Sequence, residues 1–264
     1  MREALSKATV LVLLLLAGCR SVTPPPVLER AIVTREHVEA AVEMEKQLAA
    51  NYESEGEPWF EVRPGTARVL IVAGHATAQT REGSMKAPDR GTGSLAVALH
   101  ELTGAPLIFT TKRSPSDPNY YDDNAFKTAL EELIRQSRPL IVLDLHGSHS
   151  YRPYDVDFGT MQGKSLLGRG DYLTRLVEAI RGEGLMNLSQ DYFAAGRQQT
   201  VTKFASARGV PAVQLEISST CLDAGRDAMT AHRFAQILQA LTRFIRSVDP
   251  AASGSLRRDR RNDG

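Results

Sequence analysis

The sequence predicts a three-layer α/β/α domain built on a mainly parallel, twisted sheet. Three observations lead there. Short apolar runs without glycine, Ala67-Arg-Val-Leu-Ile-Val-Ala73, Pro106-Leu-Ile-Phe-Thr110, Pro139-Leu-Ile-Val-Leu-Asp-Leu145 and Pro211-Ala-Val-Gln-Leu-Glu-Ile217, read as strands buried on both faces. Stretches with helical apolar spacing lie between and after them, as crossover connections require. Apolar character stops abruptly at Gly74-His75 and at His146-Gly147, where strands would emerge at the carboxyl edge of an open sheet, the edge at which ligands collect.

The elements follow in order. Thr34 caps a helix running to about Tyr52, with Val38, Val42, Met44 and Leu48 near one face and His37 solvated in its first turn. Glu53 to Gly65 is polar and punctuated by Gly56, Pro58 and Pro64, hence a loop, pinned to the core by Trp59 and Phe60. After the first strand a polar loop extends to Pro88-Asp-Arg-Gly-Thr92. A helix over 93–102 stops at Gly104, and a turn-rich loop, Ser114 to Tyr121, follows the second strand. Asp122 or Asp123 caps a helix through Arg135. Val156 to Phe158 forms a short strand, and helices span 171–181 and 199–207. A long amphipathic helix over 226–246 carries Met229, Phe234, Ile237, Leu238, Leu241 and Ile245 on its apolar face.

The 264 residues suffice for one good core with appendages. Residues 1–18 read as a secretory signal: Arg2 and Lys7 precede the apolar run Val10 to Ala17, which is too short to span a bilayer comfortably. Leu16-Ala-Gly-Cys19 resembles a bacterial lipobox, which would make Cys19 the lipidated first residue of the mature chain. Arg20 leans toward outer-membrane sorting. Residues 19–33, with three prolines ending at Pro26, form a stiff spacer; residues 34–65 form the N-terminal helix and loop, residues 66–248 the α/β domain, and residues 249–264 a disordered tail. The expected address is the cell envelope, lipid-anchored and facing the periplasm. A lipidated Cys19 leaves Cys221 without a disulfide partner. With Lys+Arg 32 against Asp+Glu 31, nothing favours a nucleic-acid partner. Gly159-Thr-Met-Gln-Gly163-Lys-Ser165 mimics a phosphate loop, but three residues separate its glycines where four are needed, so it reads as a turn before a helix.

The chemistry concentrates at the strand ends. His75 and His146 each follow a buried run, and neutral imidazoles on a rigid scaffold suit zinc. Asp144, two residues before His146, shares its strand face. A third ligand comes from the intervening loop: Asp89, stiffened by Pro88 and Gly91, is favoured, with Glu82 as its competitor. Glu216 is a carboxylate in an apolar strand, placed for a general base or for an ion pair with an arginine. Arg81, Arg90, Arg113, Arg152 and Arg197 lie in loops near this edge. One or two of them would grip a substrate carboxylate or support an oxyanion, with Arg152 best placed. His149 is either a proton donor or a solvated loop residue.

These pieces together resemble the N-formylglutamate amidohydrolase family, related in fold to zinc carboxypeptidases and aspartoacylases. The resemblance spans about residues 68–223 and rests on strand-Gly-His75, Asp89-Arg-Gly-Thr92, Asp144-Leu-His146-Gly-Ser148, Gly159 to Ser165 and Gln214-Leu-Glu216. It implies a zinc-carboxypeptidase-like fold of the phosphorylase/hydrolase type, Zn2+ bound by His75, Asp89 (or Glu82) and His146, and water activated by Glu216. Ala78 stands where the wider group carries a ligand glutamate. An Asn-Arg substrate clamp in the family maps onto Asn119 followed by Tyr120. The implied activity is hydrolysis of an N-acyl or peptide-like C–N bond in a small acyl amino acid. The rivals are a cell-envelope peptidase or amidase and a non-catalytic ligand-binding lipoprotein.

Overall fold

The computed structural model describes residues 31–249. The segment 1–18 expected to be a signal, Cys19, the proline run ending at Pro26 and the residues beyond Asp249 lie outside the described residues. No helix among the described residues is long and apolar enough to cross a membrane.

Nine strands and seven helices make up the described chain: α1 (Arg35–Ala49), β1 (Phe60–Arg63), β2 (Val69–Ala73), β3 (Gln79–Arg81), β4 (Ser84–Lys86), α2 (Thr92–Thr103), β5 (Leu107–Thr110), α3 (Ala125–Ser137), β6 (Ile141–Ser148), β7 (Val156–Gly159), α4 (Gly170–Gly182), β8 (Leu188–Gln190), α5 (Val201–Ala207), β9 (Ala212–Ser218), α6 (Ser219–Leu222) and α7 (Ala228–Val248). Seven strands form one sheet in the order β1-β5-β2-β6-β9-β7-β8. The central run β5-β2-β6-β9 is parallel throughout, with antiparallel pairing at β1 and between β9 and β7.

The strand period of two divides the core between the two faces of the sheet. Val69, Ile71 and Ala73 pack in one cluster with Leu95 and Leu99 of α2, Leu176 and Ile180 of α4, and Phe234 and Leu241 of α7. Leu70 and Val72 pack in a second cluster with Phe126 and Leu130 of α3 and with Val201 and Phe204 of α5. This is the three-layer α/β/α arrangement expected from the sequence. Each fully buried Leu, Ile or Val contributes about 1.5–3 kcal/mol, so the central strands resist displacement and hold whatever lies at their ends.

Several local expectations need correction. The loop expected over 53–65 contains the edge strand β1, whose residues are only partly covered and therefore carry no continuous apolar signal. Trp59 is nonetheless buried as expected and stacks on Phe126, ring centroids 6.0 Å apart. The polar stretch after His75 folds into a hairpin, β3 with β4, turning at Glu82 and Gly83 with φ of 51° and 72°, as a two-residue turn of inverted hand requires. The cap of α3 is Asn124, whose side chain accepts from Lys127 N, while Asp122 instead pairs with Lys127 Nζ. Met229 is 73% exposed rather than on the apolar face of α7, because it sits in the first turn, beyond the edge of the core. The strand β8 and the short helix α6 carry no periodic signal that sequence reading could use. His37, expected to be solvated, is indeed partly exposed, and its Nδ1 accepts from Thr34 N at 3.0 Å in the first turn of α1.

Candidate metal centre

β2 and β6 run side by side and both end at the carboxyl edge of the sheet. His75 follows β2 after Gly74, and His146 is the sixth residue of β6. Their rings meet edge to face, centroids 4.7 Å apart at 80°. Asp89 reaches them from the segment before α2, where its own N–H donates to His75 O at 2.8 Å. Gly147 makes this approach feasible: a Cβ there would lie 3.1 Å from Asp89 Cβ and 3.3 Å from its Cα. The glycine after His146 is thus a packing requirement set by the carboxylate beside it.

One ligand atom each from His75, Asp89 and His146 lie within 4.8 Å of one another. Asp89 Oδ2 is 3.4 Å from His75 Nδ1 and 2.9 Å from His146 Nδ1. A tetrahedral ion bound at about 2.1 Å holds its ligands about 3.4 Å apart, so small adjustments suffice to admit one. Glu82, the competing ligand, is exposed at the tip of the β3–β4 hairpin, where its carboxylate accepts from Tyr120 OH at 2.5 Å. The cluster therefore uses Asp89.

The far nitrogens of both rings decide whether a cation fits. His75 Nε2 is 2.7 Å from Asp117 Oδ1, and Asp117 Oδ2 is held by Arg81 at 2.6 Å. His146 Nε2 lies 2.8 Å from Asn119 Nδ2 and 3.2 Å from Asp144 Oδ1. With Nδ1–H donating to Asp89, Nε2 accepts from Asn119, whose own amide oxygen is held by Val201 N. Asp144 Oδ1, beside the same Nε2, is fully buried and has no hydrogen-bond partner. Carboxylates behind both imidazoles orient the rings and raise their basicity, the usual support for a metal ligand. The donor set of two imidazoles and a carboxylate fits a divalent metal ion.

Electrostatics follow the same pattern. Burial opposes charge on His75, but Asp117 and Asp89 outweigh it and push its pKa up to about 9. His146 is also raised well above its ordinary value, burial being overcome by Asp144 and Asp89. Burial would raise the carboxyls of Asp89 and Asp117, yet the facing imidazoles hold both well below the usual range. Glu216 differs. It is the register partner of His146 across β6 and β9, and burial lifts its pKa to about 7. Its Oε1 accepts from Gln214 Nε2 at 2.8 Å, which aims the carboxylate.

His75, Asp89, His146 and Glu216 open onto one cleft of about 830 Å³, which the cations Arg81, Lys86 and Arg197 also line. Asn119, expected to touch substrate, lines it too, although its amide is engaged with His146 and with Val201 N. Arg152 donates to Tyr192 OH at 3.3 Å and lies over the rings of Tyr192 and Phe193, which line the cleft. Arg113 is turned to Glu55, with which it pairs. Arg90 rests over the Tyr52 ring, and His149 stacks on Tyr151. Sequence reasoning missed Asp117 and Gln214. Asp117 sits in a run of turn formers, where an aspartate before proline reads as a turn residue, and only its complete burial distinguishes it.

No family model matches the sequence, and no curated protein matches it. Among solved structures, an N-formylglutamate amidohydrolase from Ralstonia eutropha superposes with a TM-score of 0.51 at 14% identity, covering 72% of this chain and 99% of that one. The likeness is one of fold. A bacteriophage poly-gamma-glutamate hydrolase gives a TM-score of 0.49 at 16% identity over 76% of this chain and 93% of its own. A metallo-carboxypeptidase from Burkholderia cenocepacia gives 0.43 at 13% identity over 82% and 70%. The resemblance read from the sequence thus holds at the level of the fold.

Proposed function

We propose that this chain is a zinc-dependent amidohydrolase cleaving an N-acyl or peptide-like C–N bond beside a carboxylate. The observation that carries this reading is the pairing of His146 with Glu216 across β6 and β9, which sets a half-buried carboxylate next to the His75, Asp89, His146 cluster. A zinc ion held by those three side chains supplies Lewis-acid activation of water and of the scissile carbonyl.

The chain's own groups do the rest. Glu216, with a pKa of about 7, accepts the proton of the attacking water near neutral pH and returns it to the departing amine. Gln214 keeps Glu216 Oε1 pointed through its 2.8 Å hydrogen bond. The cleft-lining cations Arg81, Lys86 and Arg197 suit a substrate carboxylate. Arg152, carried on the rings of Tyr192 and Phe193, is assigned to the substrate from the same wall, and Asn119 to the floor beside His146.

Substrate preference has two readings. A small acyl amino acid of the formylglutamate kind fits the resemblance in the motifs. The lipobox-like Leu16-Ala-Gly-Cys19 favours peptide-like cell-envelope material, met by an enzyme tethered through Cys19 at the outer membrane and facing the periplasm. Purified protein assayed with formylglutamate, γ-glutamyl peptides and murein peptides separates them, and detergent partitioning of a Cys19→Ala variant tests the tether. The reaction itself is tested by Glu216→Gln, expected to lower turnover by about 10²–10⁴-fold with metal content unchanged. Full activity in that variant overturns the assignment of the base.

A further inference from the structure

Asp89 belongs to no strand or helix. It lies in the turn Asp89-Arg90-Gly91 that leads into α2, and two elements remote in sequence grip that turn. From one side Leu222 closes on it: Gly91 has φ +85°, and a Cβ there would sit 2.4 Å from Leu222 O. From the other side comes α1. Gly91 N donates to Glu45 Oε1 at 2.8 Å, and Tyr52 OH donates to the same oxygen. The guanidinium of Arg90 lies over the Tyr52 ring, 5.6 Å from its centroid. Tyr52 O in turn accepts from Ala78 N at 2.9 Å, three residues after His75.

Gly91 is the N-cap of α2 and has no side chain to satisfy the free N–H groups of that helix end. Glu45, from another helix, accepts from the N–H of Gly91 itself, as the glutamate of a capping box does, and its negative charge suits the helix N-terminus. Its second oxygen is buried without a hydrogen bond, a cost that a glutamate free to reach solvent would not bear. The carboxylate is therefore committed to the turn.

We infer that Glu45, oriented by Tyr52, is a positioning residue for Asp89 and sets the affinity of the metal centre, so that α1 is a working part of that centre. This rests on the reading of His75, Asp89 and His146 as metal ligands. With the clamp in place, the Asp89 carboxylate is presented to the histidines before an ion arrives. Without it, ordering the turn opposes binding.

The test is the dissociation constant for Zn2+ of the full chain, measured by chelator competition, with thermal unfolding in chelator recorded alongside. Glu45→Ala is expected to weaken binding about 10-fold or more, the range seen when a group supporting a ligand is lost. Glu45→Gln keeps an acceptor oxygen and is expected to restore most of the affinity. Ala41→Gly destabilises the same helix one turn before Glu45 while leaving the carboxylate in place, and is expected to lower the melting temperature without changing the dissociation constant. Parental affinity in Glu45→Ala, or equal weakening in Ala41→Gly, overturns the inference while leaving the metal centre standing. Absence of stoichiometric zinc in the parent protein overturns the metal centre itself, and the clamp with it.

Discussion

His146 and Glu216 are register partners on adjacent parallel strands, fixed by the same ladder that pairs Leu145 with Leu215 and Gly147 with Ile217. The His146 imidazole and the Glu216 carboxylate are thereby mounted on two adjacent central strands of the sheet, with no loop between them to relax. Rigid mounting of this kind keeps reacting groups within the narrow geometric tolerance that catalysis demands.

Gly147→Ala places a methyl 3.1 Å from Asp89 Cβ. Asp89 cannot retreat freely, since its N–H is tied to His75 O. Overpacking of this sort costs about 1–3 kcal/mol, and the strain falls on the ligand. The expected outcome is a lower melting temperature together with weaker zinc binding in a competition titration.

Asp117→Asn removes the carboxylate from behind His75 and breaks its pair with Arg81. Metal affinity is expected to fall about 10–100-fold. Isothermal titration checks this, and Asp144→Asn is expected to act in the same direction through His146.

Asp89→Asn and Glu82→Gln separate the carboxylate that the sequence favours as third ligand from its competitor. The first is expected to abolish tight metal binding. The second leaves it intact, because Glu82 bonds Tyr120 at the hairpin tip, outside the His75, Asp89, His146 cluster. Metal analysis after dialysis of both variants decides.

The pH dependence has a definite sign. His75 has a folded pKa of about 9 against about 6.5 in the unfolded chain. Its stabilising contribution in metal-free protein is fully present below about pH 6.5 and is lost as pH rises through about 9. Glu216, raised to about 7, acts in the same direction between about pH 4.5 and 7. The depressed carboxyls of Asp89 and Asp117 act oppositely, losing their contribution as the solution is made strongly acidic. In chelator, the melting temperature is therefore expected to fall from about pH 6.5 to 9. Zinc must displace protons from the imidazoles, so its apparent affinity is expected to rise over the same interval. Calorimetry in two buffers of different ionisation heat measures the protons released.

Legibility in the sequence followed burial. β2, β5, β6 and β9 announce themselves as apolar runs because both faces are covered, and the helices over α2, α4 and α7 follow from their spacing. The edge strand β1, the hairpin β3–β4 and β8 present polar or mixed patterns, since a strand with one solvated side need not be apolar. The choice of Asn124 over Asp122 or Asp123 as a cap turned on which side chain reached Lys127 N, and no propensity separates these neighbours.

The sequence by itself determined the fold class, the two histidines at strand ends and the carboxylate within an apolar strand, because each is written in consecutive residues. Only the tertiary structure set Asp89 against both imidazoles and Glu82 away from them, placed Asp117 behind His75, turned Arg113 to Glu55, and brought Glu45 of α1 against Gly91. These relations join residues far apart along the chain. They depend on distances that chain closure and core packing set, and local pattern carries no record of them.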